Sequence, residues 1–240
     1  MAERIVLVTG ASRGIGRAAA VALAAQGCHL ILLARTVGGL EETDDAVRAA
    51  GGSATLVPLD LKDGAALDRL GASIFERWGK LDGFFGNAGV LGALTPLSHL
   101  DVKLFDELVA VNITANWRLI RSLDPLLKRS EAGRVLFVSS TVAQKPRAFW
   151  GGYAMSKAAL ESLALTYAAE CAETNVRVNI LNPGATATAM RAKAMPGEDP
   201  STLPTADDVA ALAAQMLSPG WDDTGAVVNY REWASVNSSG

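Results

Sequence analysis

Three side chains in the second half of the chain carry reactive groups at a telling spacing. Tyr153 and Lys157, in the run Tyr153-Ala-Met-Ser-Lys157, lie four positions apart. On a helix that spacing sets a phenol and an ammonium on one face, a turn from each other, and a catalytic reading opens. Ser140 lies thirteen positions before Tyr153, just past a predicted strand, Arg134–Val138. All three can therefore converge at the carboxyl edge of a parallel sheet. Ser139 is the nearer competitor for that place, and either serine could instead satisfy backbone groups at the strand end.

A second group of residues points to a ligand rather than to proton chemistry. Gly10-Ala-Ser12-Arg13-Gly14-Ile15-Gly16 follows a predicted strand and opens a predicted helix. In that context the first glycine allows a tight turn, the second lets backbone approach a pyrophosphate, and the third lets helix and strand pack closely. The helix N-terminus adds amide hydrogens and a partial positive charge. A P-loop would need Gly-Lys-Ser/Thr at the helix start, where this chain has Ile-Gly-Arg, so the ligand read here is a dinucleotide. The end of the next strand, where NAD sites place an acidic residue, holds Arg35. The donor fork of Arg35, joined by Arg13, suits a 2′-phosphate, so NADP(H) is preferred and NAD(H) is the alternative. The plainer reading makes both arginines solvated surface charges.

The elements that must position these residues are legible as an alternation. Short apolar runs at Ile5–Val8, His29–Leu33, Ala54–Pro58, Leu81–Phe85, Arg134–Val138, Val176–Leu181 and Ala226–Asn229 read as strands buried on both faces. Helical periods lie between them, among them Ile15–Gln26, Leu67–Trp78, Ala154–Ala172 and Ala206–Met216. The expectation is an α/β fold: a doubly wound, seven-stranded parallel sheet with helices on both faces, in one Rossmann-type domain over residues 1–240. No repeat or linker divides it. An irregular stretch, Ala189–Thr205, with Pro196, Gly197, Pro200 and Pro204, is placed as a lid or binding segment. The tail from Arg231 onward, polar apart from Trp233, is expected to be loose.

Composition narrows the function classes. Half of the 240 residues are hydrophobic and a fifth are charged, with 22 Lys and Arg against 25 Asp and Glu. With no basic stripe, nucleic acid is not expected as a partner. No apolar run approaches the roughly 18 residues of a membrane span, and the N-terminus is unlike a secretory signal, so the expected location is the cytoplasm. Cys28, Cys171, His29 and His99 lack metal-ligand spacing and read as structural.

On these motifs the chain resembles the short-chain dehydrogenase/reductase family, from Arg4 to about Asn229. The matching residues are Thr9-Gly10-Ala-Ser-Arg-Gly14-Ile-Gly16, Asp60, Asn87-Ala88-Gly89, Asn112, Ser140, Tyr153 with Lys157, and Pro183-Gly184 followed by Thr188. Within the family, the stretches Phe149–Lys157 and Thr188–Ala192, with Gly197–Pro200 beyond, resemble a bacterial YciK-like subgroup of oxidoreductases. The resemblance implies hydride transfer between a nicotinamide and a small carbonyl or alcohol substrate, in a homodimer or homotetramer. It implies that Tyr153 is the general acid or base, that Ser140 holds the substrate oxygen, that Lys157 holds the nicotinamide ribose, and that Asn112 holds a water linking Lys157 to solvent. It implies cofactor contacts from Asp60, Leu61, Asn87, Ala88, Gly89, Pro183, Gly184, Thr186 and Thr188, besides the glycine turn, Tyr153 and Lys157.

An ammonium about 4 Å from a phenol is worth roughly 4 kcal/mol at an effective dielectric of 20, enough to bring a tyrosine pKa of about 10 toward neutrality. Local readings stand beside the family ones. Asp60 could be a helix N-cap, Asn112 could bond a nearby carbonyl, and Trp150 could line the pocket or pack in a core or subunit interface. The loop charges Arg191, Lys193, Glu198 and Asp199 could favour an anionic group or be solvated. Gly86 and the chain end depart from the family pattern, the latter lacking the glycine pair often found after the last strand. Two further functions stay open: reduction of a 3-oxoacyl thioester, docked on Arg121, Lys128 and Arg129, and a silent NADP(H)-binding sensor or interaction module.

Overall fold

The computed structural model describes Glu3–Asn237. Seven parallel strands form one sheet in the order β3-β2-β1-β4-β5-β6-β7: β1 (Arg4–Thr9), β2 (Cys28–Ala34), β3 (Ser53–Pro58), β4 (Gly83–Gly86), β5 (Gly133–Val138), β6 (Val176–Asn182) and β7 (Val227–Asn229). All seven expected strands are present, with no end shifted by more than two residues. The helices are α1 (Gly14–Ala24), α2 (Val37–Ala49), α3 (Gly64–Trp78), α4 (Val102–Leu108), α5 (Ala115–Leu127), α6 (Thr141–Gln144), α7 (Gly151–Glu170), α8 (Ala189–Ala194), α9 (Ala206–Met216) and α10 (Tyr230–Asn237). A π-helical segment, Val109–Thr114, joins α4 to α5.

Each face of the sheet is apolar because both are covered, as a parallel sheet requires. Ile5, Leu7, Phe84 and Phe137 face α3, α5 and α7. Val6, Val8, Phe85 and Leu136 face α1, α2 and α9. Small residues let these layers approach. The alanine face of α1 lies on α9, and a Cβ at Gly16 would stand 2.4 Å from the Gly10 carbonyl oxygen. The order reverses between β1 and β4, so their carboxyl ends open the crevice in which such sheets place ligands.

Two expectations are corrected. The stretch Ala189–Thr205 is not wholly irregular, because Thr188 caps α8 by accepting from the Arg191 amide at 3.2 Å. The tail is not loose through Asn237. Tyr230 and Trp233 anchor α10 against the α1–α9 side of the core, their rings 6.2 Å apart. The remainder of that tail, Ser238–Gly240, lies outside the described residues.

Candidate active site

The expected reactive groups meet on α7, at the carboxyl edge of the sheet. Tyr153 and Lys157 lie on the buried face of that helix, 8% and 3% exposed. The Lys157 ammonium donates to the Val138 carbonyl at the end of β5 at 2.7 Å and stands 5.8 Å from the Tyr153 ring centre. Ser140, two residues past that carbonyl, lies near enough to the Tyr153 phenol to favour its ionised form. The two serines have different surroundings: the Ser139 hydroxyl donates to Glu161 at 2.6 Å, while Ser140 lies by the phenol.

Burial dominates the electrostatics of this group. It pushes the Tyr153 phenol up to about 12, against a smaller opposing effect of Ser140. It pulls the Lys157 amine down to about 8, with Glu161 opposing. The expected lowering of Tyr153 by Lys157 is therefore not present in this arrangement. The ammonium points at the Val138 carbonyl, and desolvation of the phenol is the larger effect. At neutral pH the site pairs a protonated phenol with a cation.

Asn112 lies in the π segment and is fully buried. Its side chain accepts from the Val90 amide at 2.8 Å and donates to the Val90 carbonyl at 3.0 Å and the Ser156 hydroxyl at 2.9 Å. These partners lie far along the chain, so the residue ties the loop after β4 to α7 rather than capping a local carbonyl. Gly89 fits between: a Cβ there would stand 3.3 Å from both Asn112 Oδ1 and Lys157 Nζ.

The ligand-reading residues collect at the same edge. Gly10 and Gly14 have φ of +66° and +56°, which glycine alone adopts without strain. Arg13, at the N-cap of α1, makes no side-chain cap, so no side chain blocks the first-turn amides. Asn87 donates to the Thr9 carbonyl at 2.9 Å, and the Asn87 and Ala88 amides both donate to the Thr9 hydroxyl at 3.1 Å, locking the loop after β4 to the glycine turn. Ser12 lies against Gly39, and Ile15 packs on the α1–α9 core. Thr188 lies over Gly14, with its methyl 3.7 Å from where a Cβ would be. Thr186 donates to the Pro183 carbonyl at 3.1 Å, beside Gly184 at φ +67°. Arg13 and Arg35 are exposed at the mouth of the crevice.

Asp60 accepts from the Lys62 amide at 2.9 Å, beside the buried Leu61. The cap of α3 is Asp63, so the N-cap reading of Asp60 is set aside. Trp150 joins Leu91, Leu94, Val142 and Ala194 in an apolar cluster around Tyr153, its ring centre 6.1 Å from that of the tyrosine. Phe149, just before it, has φ +71°, a conformation costly for a side chain of that size. The loop charges are partly spent on each other, since Arg191 grips Glu198 with two bonds of 2.5 and 2.6 Å. The basic residues considered for docking are also engaged: Lys128 pairs with Asp124, Arg121 lies over Trp117, and Arg129 bonds the Gly79 carbonyl.

Sequence reasoning missed Glu161 and Ser156. The signal for Glu161 was present, since it continues the four-residue series of Tyr153 and Lys157 on the buried face of α7.

A doubly wound parallel sheet with an uncapped glycine turn at its switch crevice, facing a Ser, Tyr and Lys group, defines a Rossmann-type α/β protein equipped for acid–base chemistry. The short chain dehydrogenase family model matches residues 4–199, and the chain belongs to that family of oxidoreductases. It is 40% identical over 218 residues to the uncharacterized oxidoreductase YciK of Escherichia coli, covering 90% of this chain and 86% of that protein. A putative short chain dehydrogenase from Escherichia coli CFT073 complexed with NADPH superposes with a TM-score of 0.91 at 37% identity, over 96% of this chain and 98% of the other. One from Shigella flexneri 2a complexed with NADP gives the same TM-score and coverage at 36% identity. The expected YciK-like subgroup is thereby borne out.

Among the described residues no helix is long and apolar enough to cross a membrane.

Proposed function

We propose that this chain is an NADP(H)-dependent carbonyl reductase or alcohol dehydrogenase whose proton chemistry is carried by Tyr153. The observation that carries the reading is the half-buried Ser140 beside the buried Tyr153 and Lys157, the group standing by an uncapped glycine turn on one sheet edge. The crevice suits a dinucleotide phosphate. Its amides are unblocked, its glycines hold left-handed backbone, and Arg13 and Arg35 offer guanidinium groups at the position of an adenosine 2′-phosphate. Relatives complexed with NADP and NADPH support the same cofactor, with NAD(H) as the weaker ligand.

The nicotinamide, when bound, supplies or accepts the hydride. The chain's own residues do the rest. Ser140 donates a hydrogen bond to the substrate oxygen and fixes its distance from Tyr153. Tyr153, held protonated by burial, delivers its proton to that oxygen as negative charge develops on carbonyl reduction, and takes one back in the reverse direction. Lys157 holds the nicotinamide ribose and sets a positive charge behind the phenol. Asn112 keeps the loop after β4 in register with α7 and, through a water, links Lys157 to solvent. Asp60, Leu61, Asn87, Ala88, Gly89, Pro183, Gly184, Thr186 and Thr188 line the cofactor. One domain carries the whole site, residues 189–205 cover the substrate, and the chain works as a homodimer or homotetramer in the cytoplasm.

The test is a fluorescence titration with NADPH and NADH, followed by loss of NADPH absorbance against ketones, aldehydes, quinones and 3-oxoacyl thioesters. Tight NADPH binding with turnover is the expected result. Binding of neither nucleotide would overturn the cofactor assignment.

A further inference from the structure

The proposed roles leave one buried charge near the site without a function. Glu161 is 8% exposed, on the face of α7 that holds Tyr153 and Lys157, one turn beyond the lysine. A carboxylate is rarely buried unless partners hold it. Here both oxygens are held from the segment that follows β5. Oε1 accepts from the Ser139 hydroxyl at 2.6 Å, and Oε2 accepts from the Gln144 side chain at 3.4 Å. Ser139 immediately precedes Ser140, and Gln144 closes α6, the short helix that Ser140 opens. Both partners are neutral, so the charge of Glu161 is not cancelled by them.

From this geometry we propose that Glu161 is a positioning residue: it clamps the Ser139–Gln144 segment onto α7 and sets a carboxylate one helical turn from Lys157. The clamp acts on Ser140 through its neighbour. With the Ser139 hydroxyl tied to Glu161, Ser140 is held against the same face of α7, two turns back along the helix by Tyr153. The charge acts along the helix, where residues four apart are neighbours.

Among the described residues, Glu161 is the one charged side chain that acts on Lys157 to favour its protonated form, against burial that favours the neutral amine. The other groups facing the lysine are the neutral Tyr153 ring on its own helix, the Val138 carbonyl of β5, and Gly89 with the Asn112 amide group across the crevice.

The inference rests on the reductase reading for its kinetic consequence but not for its physical one, and the test separates them. Lysine side-chain carbon resonances are followed against pH in the nucleotide-free protein, with Lys157 assigned by its loss in Lys157→Met. Glu161→Gln should lower the Lys157 midpoint by about one pH unit or more, while Glu161→Asp, which keeps the charge, should hold it near the wild-type value. Ser139→Ala breaks the clamp and spares the charge, so it should leave the midpoint in place and lower kcat without shifting the pH profile. In turnover, Glu161→Gln should move the alkaline fall of NADPH-dependent reduction to lower pH by the same interval.

An unchanged Lys157 midpoint in a folded Glu161→Gln protein would overturn the charge effect, and full kcat in Ser139→Ala would overturn the clamp. Absence of turnover in the wild type on every carbonyl tested would count against the reductase reading alone, since the resonance titration stands without it.

Discussion

Buried polar groups gather at both edges of the sheet, and they are treated in opposite ways. At the amino edge, Asp82 accepts from the Ile5 amide at 2.9 Å, the Ser130 hydroxyl at 2.6 Å and the Lys80 ammonium at 2.9 Å. Burial would raise its carboxyl, yet these donors outweigh burial and hold it below the usual range. Arg4 closes the cluster on the Asp82 and Leu217 carbonyls. The Asp82 carboxylate is thus answered by the fold itself, although the guanidinium groups of Arg4 and Arg134 at that edge are lowered by burial and Arg134 Nε has no partner among the described residues. At the carboxyl edge, Tyr153 and Lys157 are shifted toward their neutral forms by burial that their partners do not offset. A carboxylate held by three donors ties strands together, while the phenol and amine of the carboxyl edge keep the shifts that burial imposes, which is the condition the proposed proton transfer uses.

The largest break in this comparison should come from Tyr153→Phe. The ring stays and the proton donor goes, so kcat should fall about 10³-fold with NADPH affinity retained, read by single-turnover absorbance and fluorescence titration. Retained turnover would remove Tyr153 from its role. Asp82→Ala should do the reverse. Two buried donors, the Ile5 amide and the Ser130 hydroxyl, and the half-buried Lys80 lose their acceptor, costing about 3 kcal/mol of stability in urea unfolding, with kcat of the folded protein unchanged.

Arg35→Asp probes the crevice mouth, where a charged hydrogen bond to a 2′-phosphate becomes a repulsion. The NADPH to NADH preference, taken as a ratio of kcat/KM, should drop by about 10- to 100-fold. An unchanged ratio would return Arg35 to the status of a solvated charge. The smallest effect is on pH. Lys157, lowered by burial to about 8, is an ammonium below that value and neutral above it. Carbonyl reduction should therefore be flat below pH 8 and fall above it by about tenfold per unit. A profile that stays flat to pH 10 would show that the charge of Lys157 is not needed.

Much of the site was legible before folding because its residues are local in sequence. Tyr153 and Lys157 share a helix face by spacing alone, and the glycine turn declares itself by following one apolar run and opening another segment. Less was legible where partners come from afar. The polar Thr43 and Asp44 stand in the buried stripe of α2 beside Leu40 and Val47, which masks its period. Arg191 and Glu198, seven residues apart across a proline and a glycine, meet only because α8 turns the chain back.

The sequence by itself determined the alternation of strand and helix, hence the parallel sheet, and it determined which residue types arrive at the carboxyl edge. Tertiary structure decided what each of them meets there. The partner of Ser139, the cap of α3 at Asp63 rather than Asp60, and the direction in which Lys157 points were all set by what stood opposite. Hydrogen bonding and desolvation depend on neighbours within a few ångströms, and for a buried side chain those neighbours come from other strands and helices, whose approach no local pattern encodes.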